Sequence, residues 1–387
     1  MTMSHSDKHH RFKVGFIGGG IDSAIGRAHF SALNIDRNFS VDSGVFSIDP
    51  EANRDSGNHY GVDEKRVYES IPDFLERESL KMDAVIVLTP TPLHFEHINL
   101  ALDKKLAVVS EKALCTSSKA AQQITERVQA EKLFLTVTFT YTGYPMVREV
   151  KAMIADGDLG EILFAEVKMP QESFIKQGRD GSAANPQSWR QSDYEIPSVT
   201  LDLGTHVVNL LEFITGSALT QVSAVAKHSG SVTDITDNIV AIGETNNGAA
   251  VSLIWNKVSL GNRNGLSFSI FGSKGSVTWA QEDPEHLVLT DKHGVVQIID
   301  RSHPTIKVAS NNRYERFKVG HPAGYIEAFA NLYSDIAQSL WQFKAGELEK
   351  SMKNEFLHDA KNSASGLRVL EAIHESAQKK MWVQITR

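Results

Sequence analysis

The sequence predicts an α/β protein in two parts, a doubly wound parallel sheet followed by an α+β region with an open, mostly antiparallel sheet. Three observations predict it. From residue 12 to about 139, short apolar runs alternate with segments of helical period, the pattern of a parallel sheet with right-handed crossovers. Gly18, Gly19 and Gly20 follow the first apolar run directly and precede a helical segment. Beyond residue 140, the apolar runs are separated by turn signals and by a single helix, which calls for antiparallel pairing. A chain of 387 residues suits two such domains at roughly 150 residues each. The expected division is a disordered tail over 1–11, a first domain over 12–139 and a second over 140–387. The second domain carries the C-terminal helices, the last of which can pack back on the first.

Taken in order, residues 12–17 read as a strand buried on both faces, because the run is apolar throughout rather than alternating. A helix over 24–33 follows the glycines. A second strand over 40–46 ends at Ser47-Ile48-Asp49-Pro50. A third, over 83–89, is bounded by Pro90 and Pro92. A helix over 93–103, a strand over 106–109, a helix over 117–131 and a strand over 133–138 complete the alternation. A helix over 144–155 stops at Gly157, a residue suited to the left-handed conformation that ends helices. Strands are expected over 161–169, 221–227, 238–245, 249–256, 266–271 and 276–279, with a helix over 203–215 and turns at Asn247-Gly248 and Lys274-Gly275. Residues 285–319 are polar and weakly patterned. Helices over 324–343 and 356–379 and a strand over 382–385 finish the chain. The amphipathic helix 324–343 is expected to pack on the sheet domain rather than to bind a partner.

Composition narrows the function. Hydrophobic residues make up 41% and charged residues 22%, the balance of a packed protein, which excludes chain-wide disorder. The single cysteine, Cys115, excludes a disulfide framework. No apolar run reaches the roughly 18 residues that span a bilayer. Residues 1–11 are polar and His-rich, so no secretory signal is expected. A net charge of -7 gives no basic face for nucleic acid. The expectation is a cytoplasmic enzyme or binding protein for a small molecule, with neither nucleic-acid nor membrane partner.

Three features carry chemistry. Strand, Gly18-x-Gly20 and helix form the start of a dinucleotide site, because a pyrophosphate must touch backbone N–H groups at a helix N-terminus, where side chains would block it. The usual spacing would put a third glycine at Ser23; the nearest, Gly26, comes three residues later. The tip of the second strand usually carries an acid for the ribose of NAD. Here it carries Ser47, with Asp49 two residues on; Asp49 could reach the ribose, or Arg54 a 2′-phosphate, so the choice between NAD and NADP stays open. Glu111-Lys112 follows the fourth strand, at the sheet edge where ligands bind. Asp202 and His206 are four residues apart, which places both on one face of a helix. A carboxylate beside an imidazole stabilises its protonated form and suits a base that takes a proton from an alcohol.

These residues resemble the glucose-fructose oxidoreductase / inositol dehydrogenase (Gfo/Idh/MocA) family from about residue 12 to 384. The resemblance rests on the glycine loop, on Thr89-Pro90-Thr91-x-Leu93-His94, on Glu111-Lys112, on the spacer Asp156-Gly157-Asp158-Leu159-Gly160-Glu161, and on Asp202-Leu203-Gly204-Thr205-His206 followed by Gly216. It implies a Rossmann domain and an open-sheet domain for substrate and oligomerisation, and an NAD- or NADP-dependent dehydrogenase or reductase of a sugar, sugar derivative or cyclic polyol. It implies a homodimer or homotetramer paired through the open sheet. Lys112, Asp202 and His206 would be catalytic: His206, assisted by Asp202, would take the proton of a ring hydroxyl, and Lys112 would stabilise the charge on that oxygen. The cofactor would be held by Gly18, Gly20, Ile21, Ser23, Ser47, Asp49, Thr89, Pro90, His94, Glu111 and Lys112. Tyr141, Gln171, Trp189, Arg190, His321 and Tyr325 would face the substrate.

Three departures from the family pattern stand out: Ala113 replaces a proline after the lysine, Thr140 replaces an asparagine, and a glycine-free loop over 195–199 precedes the Asp-His motif. Two alternatives accompany the dehydrogenase reading. One is glycoside cleavage by transient oxidation at C3 with tightly bound NAD; the other is a non-catalytic, cofactor-binding regulator. His94-x-x-His97 has metal-like spacing but no evident third ligand, so no metal site is expected. Cys115 reads as a small buried residue.

Overall fold

The computed structural model describes residues 11–386, so residues 1–10 of the expected tail lie outside the described residues. Arg11 is anchored, its guanidinium donating to the Phe39 carbonyl and to Asn34 Oδ1. In chain order the elements are β1 (Phe12–Gly18), α1 (Ala24–Ile35), β2 (Phe39–Val45), α2 (Pro50–His59), α3 (Ile71–Glu78), β3 (Ala84–Leu88), α4 (His94–Asp103), β4 (Ala107–Glu111), α5 (Ser118–Ala130) and β5 (Leu135–Thr138). Then come α6 (Pro145–Ala155), β6 (Ile162–Pro170), α7 (Thr205–Thr215), β7 (Leu219–Lys227), β8 (Asn238–Thr245), β9 (Ala250–Asn256), β10 (Ser267–Gly272), β11 (Gly275–Ala280), β12 (Asp283–Asp291) and β13 (Val296–Ile299). The chain closes with α8 (Tyr325–Lys344), α9 (Leu348–Ser351), α10 (Ala360–Lys379) and β14 (Val383–Gln384). It divides into two compact units, one of residues 11–115, 119–140 and 325–363, the other of 116–118, 141–324 and 364–386.

The first unit is built on a parallel sheet in the order β2-β1-β3-β4-β5. Its strands are apolar because helices cover both faces; β3 and β4 are buried at every residue. The strand order reverses between β1 and β3, and the crevice at their carboxyl ends is where such sheets bind ligands. One expectation is overturned here. Helix α8 packs into this core beside α1, where Phe329, Ala330, Tyr333, Ile336 and Leu340 join Ala28, Ala32 and Leu33. An amphipathic stripe announces that a helix packs but does not say against what. Most of α10 belongs to the second unit, where Ser376 Oγ accepts from the Ala224 N–H and β14 pairs with β7.

The second unit holds a nine-stranded sheet in the order β13-β12-β11-β10-β6-β9-β8-β7-β14, antiparallel except for β6 with β9. One face buries Val167, Leu253, Trp255, Phe268 and Trp279. Phe271, Val240, Ile242, Leu163 and Val225 lie on strands of the same sheet yet are 41–56% exposed. Strands β12 and β13 occupy the segment that read as unpatterned. Their pattern is weak because each buries few side chains, Glu285 and Leu287 on one and Ile299 on the other. No helix among the described residues is long and apolar enough to cross a membrane.

Candidate active site

The glycine turn is the tightest point of the first unit. Gly18 and Gly19 adopt φ of 82° and 74°, a region closed to most side chains. A Cβ on Gly26 would lie 2.0 Å from the Gly19 carbonyl oxygen. Gly26 is therefore the third glycine of the turn, displaced along α1, and it performs the close helix–strand approach that the sequence reading sought at Ser23. Ser23 instead caps α1, accepting from the Gly26 N–H at 3.4 Å and keeping its own hydroxyl proton to donate. The Ile21 N–H is taken by Ser56 Oγ at 2.9 Å, and the Tyr60 hydroxyl donates to the Gly19 carbonyl at 2.8 Å. These bonds fix the turn, and a Cβ on Gly20 would come within 3.1 Å of the Phe46 carbonyl oxygen and of Ser56 Oγ, so glycine keeps the backbone bare there, which fits a pyrophosphate at a helix N-terminus.

At the tip of β2, Asp49 caps α2 by accepting from the Ala52 N–H at 2.8 Å, and Ser47 Oγ accepts from the Asp49 N–H at 3.1 Å. Ile48 between them is fully exposed.

At the tip of β3, the Thr89 hydroxyl meets His97 Nδ1 at 3.0 Å. His94 is fully buried, with Nε2 on the Thr89 carbonyl and Nδ1 on the Ala113 carbonyl, both at 2.7 Å. Burial presses its ring toward the neutral form, outweighing the pull of the two carbonyls. His94 is thus not exposed to a cofactor as expected; it braces the Thr89-Pro90 turn against the peptide after Lys112. That Lys112–Ala113 peptide is cis. Cys115 is buried, and burial pushes its thiol up to about 12, in line with a packing role.

Glu111, at the end of β4, is also buried. It accepts from His29 Nε2 at 3.0 Å, from the Thr138 hydroxyl and from the Lys112 N–H at 3.2 Å. A carboxylate only accepts, so His29 donates from Nε2, leaving Nδ1 to accept from the Tyr333 hydroxyl. Burial works against the Glu111 charge, but the His29 bond, the neighbouring Lys112 charge and the Thr138 bond hold it below the usual carboxylate range. A depressed folded-state value gives stability that is complete above the unfolded-state value and lost as pH falls through the folded one. Glu111→Gln is therefore expected to lower Tm at pH 7 and to reduce the further loss of Tm on acidification below about pH 5, read by scanning calorimetry. An acid-side slope identical to that of the unaltered protein would show that the Glu111 charge does not contribute to it.

The remaining residues expected in the site belong to the second unit, with the exception of Tyr325. Residues 200–204 form a π-helical turn leading into α7, a wider turn than the sequence spacing assumed. Trp255 makes room for it: its indole donates to Thr200 Oγ1 at 3.1 Å, and a Cβ on Gly204 would come within 2.9 Å of the ring. Asp202, in this turn, is gripped by two cations. Arg190 Nε and Nη2 reach Oδ2 and Oδ1 at 3.0 and 3.2 Å, and Lys257 Nζ reaches Oδ2 at 2.7 Å. Arg190, expected at the substrate, is paired with Asp202 and stacks on Trp189 at 4.3 Å. Lys257 was not singled out from the sequence; its position directly after β9 was the available signal. The Tyr141 ring meets the His206 ring edge-on at 4.7 Å. The Tyr141 hydroxyl accepts from Asn264 Nδ2 at 2.9 Å, and Gln171 donates to Asn264 Oδ1 at 2.9 Å, so Asn264 joins Gln171 to Tyr141, whose ring meets His206. The 195–199 loop is packed rather than open, with Ile196, Ser198 and Val199 buried.

His321 lies apart, exposed, with Nδ1 on the Lys318 carbonyl. Tyr325 opens α8 in the first unit and packs edge-on against Phe329.

Comparison with known proteins gives the class first. Residues 12–139 match the oxidoreductase family with an NAD-binding Rossmann fold, so the chain is an NAD-binding oxidoreductase. Residues 147–278 match the GFO/IDH/MocA C-terminal domain, and the chain belongs to the GFO/IDH/MocA family. It is 28% identical over 377 residues to the uncharacterized oxidoreductase YfiI of Bacillus subtilis (strain 168), covering 95% of each chain. It is 25% identical over 293 residues to glucose-6-phosphate 3-dehydrogenase of the same organism, covering 73% of this chain and 79% of that one. Among solved structures, an inositol dehydrogenase homolog from Azotobacter vinelandii, complexed with NADH and myo-inositol, superposes with a TM-score of 0.88 at 28% identity. The match covers 97% of this chain and 98% of that one. Both the fold class and the family expected from the motifs are borne out, as is a nicotinamide dinucleotide cofactor.

Proposed function

We propose that this protein oxidises or reduces a ring carbinol of a sugar, sugar derivative or cyclic polyol, with NAD or NADP as the hydride carrier. The observation that carries the reading is the buried Asp202 and His206 pair, set around the π-turn in the unit that follows a glycine-turn dinucleotide unit. Relatives named for glucose 6-phosphate and for inositols support the substrate class. When bound, the nicotinamide accepts or gives up the hydride. The chain's own residues handle the proton and the charge. His206 holds the proton of the reacting hydroxyl at its imidazole, and Asp202 orients that end of α7. Lys112 donates to the same oxygen and stabilises the negative charge that develops there. Ser23 and the glycine turn receive the pyrophosphate.

The test is a thermal-shift titration with NAD, NADH, NADP and NADPH, each alone and then with a panel of sugars and cyclitols. Native-state ligands raise Tm by mass action. One cofactor and at least one polyol are expected to raise it, and that pair should generate reduced-nicotinamide absorbance. Cofactor binding without turnover on any polyol would overturn the reading.

The same reading pairs two copies through the apolar strand residues left exposed, Leu163, Val225, Val240, Ile242 and Phe271. Sedimentation is expected to give a dimer or tetramer.

A further inference from the structure

We infer that Lys257 is a positioning residue that keeps His206 neutral and ready to accept a proton; the inference rests on His206 being the base proposed above. A single carboxylate one turn before a histidine favours the protonated ring. Here the carboxylate does not act alone. Asp202 is paired both with Lys257, at 2.7 Å, and with the forked guanidinium of Arg190, so the three groups together carry one net positive charge. Both cations act in the same direction and disfavour a second positive charge on the ring.

Lys257 is built into this place. Its side chain is 7% exposed and its ammonium lies over the Phe174 ring at 5.1 Å. Its backbone is held on both sides, the N–H donating to the Asp237 carbonyl and the carbonyl accepting from the Phe174 N–H. A buried lysine fixed by an aromatic face and a carboxylate is not a solvated surface charge.

Ionisable groups on the elements around α7 have partners of their own. On α6, Arg148 donates to the Thr142 carbonyl and the Tyr314 hydroxyl, Glu149 accepts from the backbone N–H groups of residues 307–309, and Lys151 reaches the Phe213 carbonyl near the far end of α7. On β6, Glu166 and Lys168 pair with each other. In the segment after β6, Glu172 pairs with Lys176. Asp193 caps the start of the helical segment at Ser198 and accepts from the Thr236 N–H. Glu212 lies on α7 itself, nearly two turns beyond His206. Tyr141 presents its ring to His206 while its hydroxyl accepts from Asn264.

The experiment is an NMR titration of histidine-labelled full-length protein, with the His206 signal assigned by its loss in His206→Gln. In Lys257→Met the protonation midpoint of His206 is expected to rise by about one pH unit, and in Lys257→Arg to return to that of the unaltered protein. The acid limb of kcat/KM should move by the same amount, leaving the alkaline plateau in place. An unmoved midpoint in folded Lys257→Met overturns the inference. Should Lys257→Met not fold, Arg190→Gln removes the other cation and must raise the midpoint in the same sense; an unmoved midpoint there counts equally against it. Full activity of His206→Ala would overturn the proposed base, an outcome separate from the NMR midpoint.

Discussion

Lys112→Ala is expected to lower kcat by about 10²–10³-fold, and His206→Ala by about 10²–10⁴-fold, with folding intact in both. The two losses have different causes. The lysine would answer the charge on the reacting oxygen, so its removal should be felt in kcat more than in KM. The imidazole would hold the proton, so its removal should also abolish the acid limb of the pH profile. The second unit anchors His206 independently of its chemistry: it stands on a helix whose turn is set by Trp255 and Thr200. Lys112 likewise sits on backbone held by Glu111 and followed by the residue that His94 braces. Steady-state kinetics with the polyol found by thermal shift, alongside unfolding curves, would check both. Turnover within twofold of the unaltered protein in both variants would remove the assigned residues.

Gly26→Ala is expected to destabilise the first unit by about 3 kcal/mol or more and to weaken cofactor binding at least tenfold. The added methyl would lie 2.0 Å from an oxygen and 2.7 Å from the Cα of Gly19. Neither side can yield easily. Gly19 is held by the Tyr60 hydroxyl and by its own left-handed conformation, and α1 is packed against α8. Gly61→Ala is the control. Its φ is 71° but nothing lies within 4 Å of the new methyl, so it should cost only the backbone penalty of about 1–2 kcal/mol. Denaturant unfolding and a cofactor titration would separate the two. Equal losses in both variants would mean that the approach of α1 to the glycine turn is not what the site depends on.

Much of this was legible in the chain. The central strand β3 was readable because a strand buried on both faces is a continuous apolar run, and the glycines between β1 and α1 mark a backbone conformation few other residues adopt. The Asp-His spacing was readable because it lies within one segment. Strands β12 and β13 were not, since strands with few buried residues carry no period. Nor was the pairing of Arg190 with Asp202, twelve positions along, because no local period or motif carries it.

The sequence by itself determined most of the strands and helices, though not α2, α3, β12 and β13, together with the place of the dinucleotide turn and the family, because each is written in local periodicity or in short motifs. Only the tertiary structure decided which residues meet. It put α8 on the first sheet, joined His29 to Tyr333 across 304 positions, and brought Lys257 onto Asp202 across 55. Such pairings follow from how whole elements pack, and a lysine after a strand looks the same in the sequence whether it faces water or a buried carboxylate.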